Sequence, residues 1–148
     1  MPIKYEKVGD EPLLVPESYR DLFTRPIVVT LVTLMPDGQP QATPIWADYD
    51  GRYVRVNSAR GRQKDKNMQP GARVTMLVID PDNTGRWLEV RGHIAEVTEE
   101  GALDHANALS LKYEGNADFY ADAEIAAYRG KEQRVTYKID PVRINTNS

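Results

Sequence analysis

Two Asp-Gly turns constrain this chain more than any other feature. The first, Met35-Pro36-Asp37-Gly38, follows residues 26–34 (PIVVTLVTL), a β-branched run that reads as a strand. Pro36 presets φ for the turn, and Gly38 supplies a positive φ. The second, Asp50-Gly51, is a strong hairpin signal. It joins residues 39–49 (QPQATPIWADY) to 52–57 (RYVRVN), where Val54 and Val56 alternate with Tyr53, Arg55 and Asn57. Strands linked by connections this short pair antiparallel. Pro40 and Pro44 lack an N–H, which marks 39–49 as an edge or an irregular ladder.

The rest of the chain extends this sheet. Residues 1–15 read as an N-terminal arm. Residues 16–23 (PESYRDLF) suggest a short helix anchored by Leu22 and Phe23 and limited by Pro26. Residues 58–69 show no strand alternation and predict a short helix ended by Pro70-Gly71. Residues 72–80 (ARVTMLVID) are apolar on both faces, the pattern of a fully buried central strand. After the polar loop 81–85, residues 86–97 read as a further strand. Residues 98–113 carry helical periodicity, with Ala102, Leu103, Ala106 and Leu109 on one face. Thr98 serves as N-cap there, with Glu99 and Glu100 in the first turn. Residues 114–130 read as a loop with one helical turn. A last strand over 133–146 puts Val135, Tyr137 and Ile139 on one face. The expected fold is mainly β: a six-stranded antiparallel barrel with three or four short peripheral helices, which removes exposed edges. A chain of 148 residues suits a single domain over 1–148.

Composition narrows the chemistry. The absence of Cys excludes disulfides, a thiolate nucleophile, Cys-ligated zinc and iron–sulfur clusters. No run reaches the roughly 18–20 apolar residues of a spanning helix. The start of the chain, with Pro2 and Glu6, has no signal-peptide core, so a soluble cytoplasmic protein without a membrane partner is expected. The net charge of −3 makes no case for nucleic acid. No GxGxxG, Walker, GxSxG or HExxH motif occurs. His93 and His105 fall on a strand and a helix without ligand spacing, so they read as satisfied surface or packing histidines and no metal site is expected. Carboxylates are scattered, and no catalytic residue is assigned.

Charge is nonetheless concentrated. Residues 60–73 hold Arg60, Arg62, Lys64, Lys66 and Arg73 against Asp65, a local +4 that leaves −7 for the remainder. One short basic segment on an acidic protein suits a small anionic ligand. It lies where a strand ending at Asn57 meets a predicted helix, placing helical N–H donors beside Ser58, Arg62 and Lys64. Arg62 can grip phosphate oxygens bidentately, with Lys64 as a mobile point charge. The same run reads equally as a solvated helix face. Trp46 and Trp87 suit either a core or a stacking wall. Lys112, on a different helix, is expected to be indifferent to this site.

Three segments in order, DGQPQATPIW (37–46), RVNSARGRQKDKN (55–67) and WLEVRG (87–92), resemble the flavin-binding split barrels, the pyridoxamine-phosphate-oxidase-like proteins. More narrowly they are similar to the deazaflavin branch that uses coenzyme F-420. The Arg-x-Lys-x-x-Asn pattern at Arg62, Lys64 and Asn67, after Ser58, is the most specific piece. The resemblance implies a split-barrel homodimer with a cofactor groove between subunits. On that template Arg62, Lys64 and Ser58 hold the phosphate, and Asn67 braces the phosphate loop or reaches the cofactor. Pro44, Ile45, Trp46 and Asn57 line the ring and its sugar-alcohol chain, and Trp87 covers the ring from the partner. The implied activity is hydride transfer from reduced F-420 to an unsaturated or quinone-like small molecule. The alternatives are an FMN-dependent oxidase or reductase, and a non-catalytic flavin or haem binder, for which His93 and His105 are the candidate ligands. Lys66, Arg60 and Arg73 suit the longer F-420 anion or simple solubility. The vitamin-forming members place a Trp and an Arg-Leu element near the C-terminus; this chain ends PVRINTNS, which argues against phosphopyridoxamine oxidation.

Overall fold

The computed structural model describes residues 3–147. Eight antiparallel strands form one sheet: β1 (Ile3–Glu6), β2 (Val29–Leu34), β3 (Pro40–Ile45), β4 (Ala47–Tyr49), β5 (Val54–Ala59), β6 (Arg73–Ile79), β7 (Trp87–Thr98) and β8 (Arg134–Thr146). The strand order is β3-β2-β6-β7-β8-β5-β4, with β1 added on β8. β3 and β4 are thus the two ends of this order, yet only Trp46 separates them in sequence. One residue spans about 3.5 Å, so the sheet must curl until its edges meet at Trp46. That seam closes the barrel.

The strand count exceeds the expected six for two reasons. The arm contributes β1, which pairs with the end of β8 from Ile3↔Thr146 to Glu6↔Arg143. The single strand expected over 39–49 is broken at Trp46 into β3 and β4, both edges, in keeping with its two prolines. β6 is central, between β2 and β7, but is buried on one face only: Val74, Met76 and Val78 are inside, while Arg73 and Ile79 are exposed. The helices pack chiefly against β2, β4, β5 and β8, leaving the outer face of β6 open.

Three α-helices decorate the barrel: α1 (Asp21–Thr24), α2 (Gln63–Asn67) and α3 (Ala102–Glu114). The helix expected over 16–23 is a 3-10 turn, Glu17–Tyr19, followed by α1, and its anchors Leu22 and Phe23 are fully buried. The segment expected as one helix over 58–69 is shorter, because β5 continues through Ala59 and α2 begins at Gln63. α3 also starts late. β7 runs through Thr98, so Gly101, in the left-handed region at φ 74°, takes the N-cap position expected for Thr98. This start turns Leu103 outward at 47% exposure, while Ala102, Ala106 and Leu109 face the barrel as expected. The loop before β8 carries 3-10 turns at Phe119–Ala121 and Ala126–Tyr128. In β8, Val135, Tyr137 and Ile139 are wholly buried.

The β7–β8 ladder shifts register between Arg91 and Gly92, opposite Pro141. Gly92 is required there. A Cβ on it would lie 2.4 Å from the Asp140 carbonyl oxygen, a backbone atom that cannot move aside. Gly92→Ala is therefore expected to destabilise the fold by about 1–3 kcal/mol. Urea unfolding should show a lower midpoint at unchanged slope; an unchanged midpoint would show that the ladder absorbs the methyl group.

Candidate functional site

A cavity of about 390 Å³ opens at the seam. Its first wall is Pro44 and Ile45 of β3 with Trp46, and β5 contributes Asn57. Lys64 enters from α2. Ala106, Leu109 and Glu114 of α3 form the second side, and Phe119, Asp122 and Ile125 close it from the loop. Arg134, the first residue of β8, completes the wall.

The seam is held in place by α3. Its last turn sends the Tyr113 hydroxyl to the Ile27 carbonyl (2.6 Å) and lets it accept from the Ala47 N–H (3.2 Å). Lys112 donates to the Ala47 carbonyl at 2.6 Å and to that of Phe23. Burial pushes the Lys112 ammonium down to about 8, with nearby Asp48 opposing the shift. Lys112 is thus a clamp on the seam, contrary to the expected bystander. Tyr113 in turn stacks on Trp46 with ring centroids 5.2 Å apart and planes 11° from parallel. Phe119 meets Trp46 edge-on at 6.5 Å. The result is an aromatic wall, rigid on one side, suited to a planar ring.

Lys64 is the unusual member. Its side chain is half-buried, and its ammonium makes no hydrogen bond or ion pair with any described residue. Burial lowers its pKa below 10.5, and the guanidiniums of Arg62 and Arg134 lower it further. A desolvated ammonium beside two more cations is electrostatically suited to an anion.

Five of the nine residues expected at the site come together here: Pro44, Ile45, Trp46, Asn57 and Lys64. The other four lie elsewhere. Ser58 follows Asn57 on β5 and so points to the opposite face, where its register partner is core Val135. It is buried, with its hydroxyl unpartnered. Arg62 is exposed and paired with Glu132 at 3.3 Å. Asn67 ties α2 to β2, donating to Thr33 Oγ1 at 3.1 Å and accepting from Gln63 at 2.9 Å. Trp87 opens β7, half-buried, with its backbone N–H bonded to Asn147.

Against the backbone just before α2 the chain places a carboxylate of its own. Asp65 is buried, accepts from the Gly61 N–H at 2.9 Å and pairs with Arg60 and the Tyr137 hydroxyl. Arg60 also binds Glu99 at 2.8 Å, and Arg73 lies in a separate groove with Arg91 and Arg143. His105 is packed into the fold, and His93 lies at the surface. His105 bonds Asp48 at 3.1 Å through Nε2 and Thr136 at 3.0 Å through Nδ1. His93 lies 3.8 Å from Asp140 in that separate groove. Among the described residues no cluster could hold a metal ion, and no helix is long and apolar enough to cross a membrane.

Sequence reasoning missed Arg134, Phe119 and the α3 wall. Alternation along β8 separates Arg134 and Thr136 from Val135 and Tyr137, but nothing local reveals that β8 pairs with β5. Only the register Ala59↔Arg134 brings this arginine to the cavity.

The electrostatics yield a signed expectation. The folded protein loses the Lys64 proton at lower pH than the unfolded chain, whose lysine holds it to about 10.5. In that window the ligand-free fold gains stability as pH rises, while affinity for inorganic phosphate falls. Lys64→Met should flatten the phosphate affinity across this range. Wild-type affinity independent of pH up to 10.5 would show that Lys64 does not carry the anion.

The chain matches the pyridoxamine 5'-phosphate oxidase family over residues 15–148. Among solved structures it is similar to one named F420 reductase, with 34% identity and a TM-score of 0.73 over 88% of this chain and 98% of that chain. A conserved hypothetical protein from Mycobacterium tuberculosis is 26% identical, with a TM-score of 0.67 over 93% of this chain and 87% of that one. A putative pyridoxamine 5'-phosphate oxidase from Lactobacillus delbrueckii shares the fold at 19% identity, TM-score 0.57, over 95% of this chain and 98% of that one. No curated protein matches. A match running from the turn before α1 through all of β8, on a barrel closed in this way, makes the chain a member of the pyridoxamine 5'-phosphate oxidase family.

Proposed function

We propose that this protein is an oxidoreductase that binds coenzyme F-420 in the seam cavity and passes hydride to an unsaturated or quinone-like small molecule. The observation that carries the reading is Lys64, a half-buried ammonium without a partner, on the same wall as Trp46. A phosphate-bearing planar ring fits that donor set: a cation for the phosphate, and an aromatic and aliphatic surface for the ring. The similarity to a protein named F420 reductase supports the deazaflavin over other rings. When bound, the deazaflavin supplies the two-electron hydride chemistry. The chain's own residues do the remaining work. Lys64 holds the phosphate, Pro44, Ile45 and Trp46 orient the ring, and Leu109, Phe119 and Ile125 exclude water from its surroundings.

FMN is the second reading, since it also joins a single phosphate to a flat ring. The haem reading is disfavoured. Both His105 nitrogens are engaged with protein groups, and His93 is not at this cavity. The expected homodimer has a surface suited to it. Val28, Ile79 and Leu34 are 57%, 42% and 38% exposed on β6 and around β2, and Val28 and Pro44 connect that apolar area to the cavity.

Equilibrium titration with F-420 and FMN side by side tests the cofactor. F-420 is expected to bind more tightly; stoichiometric FMN with no F-420 binding would reverse the assignment. Lys64→Ala should weaken the cofactor about 10- to 150-fold, the effect of one shielded charge-assisted contact of roughly 1.5–3 kcal/mol. Exposed Lys66→Ala should leave affinity unchanged. Sedimentation at micromolar concentration should give twice 16.7 kDa. A monomer with full cofactor affinity would remove the dimer from the proposal.

A further inference from the structure

The cavity that Lys64 enters has a second cation on its wall. Arg134 is buried at 7% exposure and lines the cavity, whereas Arg62 is exposed and outside it. We propose that Arg134 is the second phosphate-binding cation of this cavity, and that Asn57, His105 and Asp48 are positioning residues that aim it. The inference rests on the reading of the cavity as the site of a phosphate-bearing ring.

The aiming can be followed atom by atom. Arg55 grips Asp48 with two hydrogen bonds of 2.8 and 2.9 Å. Asp48 Oδ2 lies 3.1 Å from His105 Nε2 and can only accept, so Nε2 carries the hydrogen. Nδ1 then accepts, from the Thr136 hydroxyl at 3.0 Å and the Asn57 amide at 3.2 Å. The Asn57 amide nitrogen also donates to the Ala102 carbonyl at 2.8 Å. Its orientation is therefore set, and Oδ1 must face Arg134, accepting from Nε at 2.9 Å. On the other side Glu132 accepts from Arg134 Nη1 at 3.0 Å, and the guanidinium lies 4.4 Å from the Phe119 ring centroid. Nη2 has no hydrogen-bond partner among the described residues. The planar fork is thus fixed by three groups and left with donors to spare beside Lys64.

Charge agrees with geometry. Lys64, Arg62 and Arg134 interact, and the carboxylate among them is Glu132, which serves both arginines. This group of four carries a surplus of two positive charges, and the remaining carboxylates on the cavity wall are Asp122 and Glu114. A phosphate monoester such as that of FMN carries about −1.5 to −2 at pH 7 and would neutralise this cluster; a phosphodiester such as that of F-420 carries about −1 and would offset half of it. The far end of the cavity has the opposite sign. Glu114 sits twelve residues along α3 from Ala102, roughly 18 Å away along the helix axis. Phosphate at the Arg134 end and ring toward Trp46 keeps the anion away from Glu114.

FMN and riboflavin differ only in the phosphate, so the ratio of their affinities isolates the seat. Arg134→Gln is expected to lower the FMN affinity by about 10- to 100-fold and to leave riboflavin within about 3-fold. Arg62→Gln should change neither by more than about 3-fold. His105→Leu should reduce the FMN-to-riboflavin ratio by about 3- to 10-fold, and His105→Gln, which keeps a donor toward Asp48 and an acceptor toward Asn57, should restore it. An unchanged ratio in folded Arg134→Gln, or equal loss of both ligands, overturns the proposal. If Arg134→Gln does not fold, Arg134→Lys decides. A ratio lowered by about 3- to 10-fold supports the seat, and an unchanged ratio overturns it. A wild type that binds neither FMN nor F-420 defeats the cofactor reading without deciding the seat. Inorganic phosphate then tests it alone. A phosphate-induced rise in Tm that Arg134→Gln abolishes supports the seat; equal rises, or none in the wild type, overturn it.

Discussion

A single residue, Trp46, links the two edges of an eight-stranded sheet, and this covalent constraint organises the molecule. Backbone groups at a sheet edge need partners, and here the edges are brought together by the chain before any side chain contributes. The closure leaves the seam backbone short of ladder partners, because Ala47 opens a strand of only three residues. The last turn of α3 supplies what is missing through Tyr113 and Lys112. The same tyrosine backs the Trp46 ring. Barrel closure, helix docking and the aromatic wall are therefore one arrangement, and the cavity lies where they meet.

Around this seam the charged residues divide into two populations. Most are paired: Arg55 with Asp48, Arg60 with Glu99 and Asp65, and Arg86 with Asp21 and Asp80. These pairs hold loops to the barrel. Lys64 belongs to the other population. A half-buried ammonium left without a carboxylate destabilises the ligand-free protein, and such a cost is common where a site is prepared for a charged ligand. The buried carboxylate that sequence proximity offers it, Asp65, is directed away, to Gly61, Arg60 and Tyr137. Lys64 and Asp65 are neighbours in sequence but leave α2 in different directions, and that separation keeps the cation available.

Membership of the pyridoxamine 5'-phosphate oxidase family and likeness to a structure named F420 reductase place this chain on a flavin-related oxidoreductase-type fold. Within that fold, the arrangement of Lys64, Arg134 and the Trp46–Tyr113 stack accounts for how a phosphate-bearing ring would be held. The exposed Val28, Leu34 and Ile79 around β2 and on β6 would suit the proposed second subunit. The two halves of the proposal, ligand and dimer, thus rest on adjoining surfaces.

The sequence by itself determined the antiparallel pairing, because the Asp-Gly turns are too short to allow any other, and the alternation that puts Val135, Tyr137 and Ile139 inside. Pro44, Ile45, Trp46 and Asn57 were expected at a site only through the family resemblance, since the residues themselves left Trp46 open between a core and a stacking wall. Local spacing did not carry further. Whether residues 58 and 59 end a strand or begin a helix decided that Ser58 faces the core, and that depended on pairing with β8, some 76 residues away. Arg134, the α3 wall and the Asp48–His105–Asn57 chain were likewise settled only by tertiary structure. Hydrogen bonds between residues dozens of positions apart leave no periodicity to read. They exist only once the seam has closed and the register of β5 on β8 has been set.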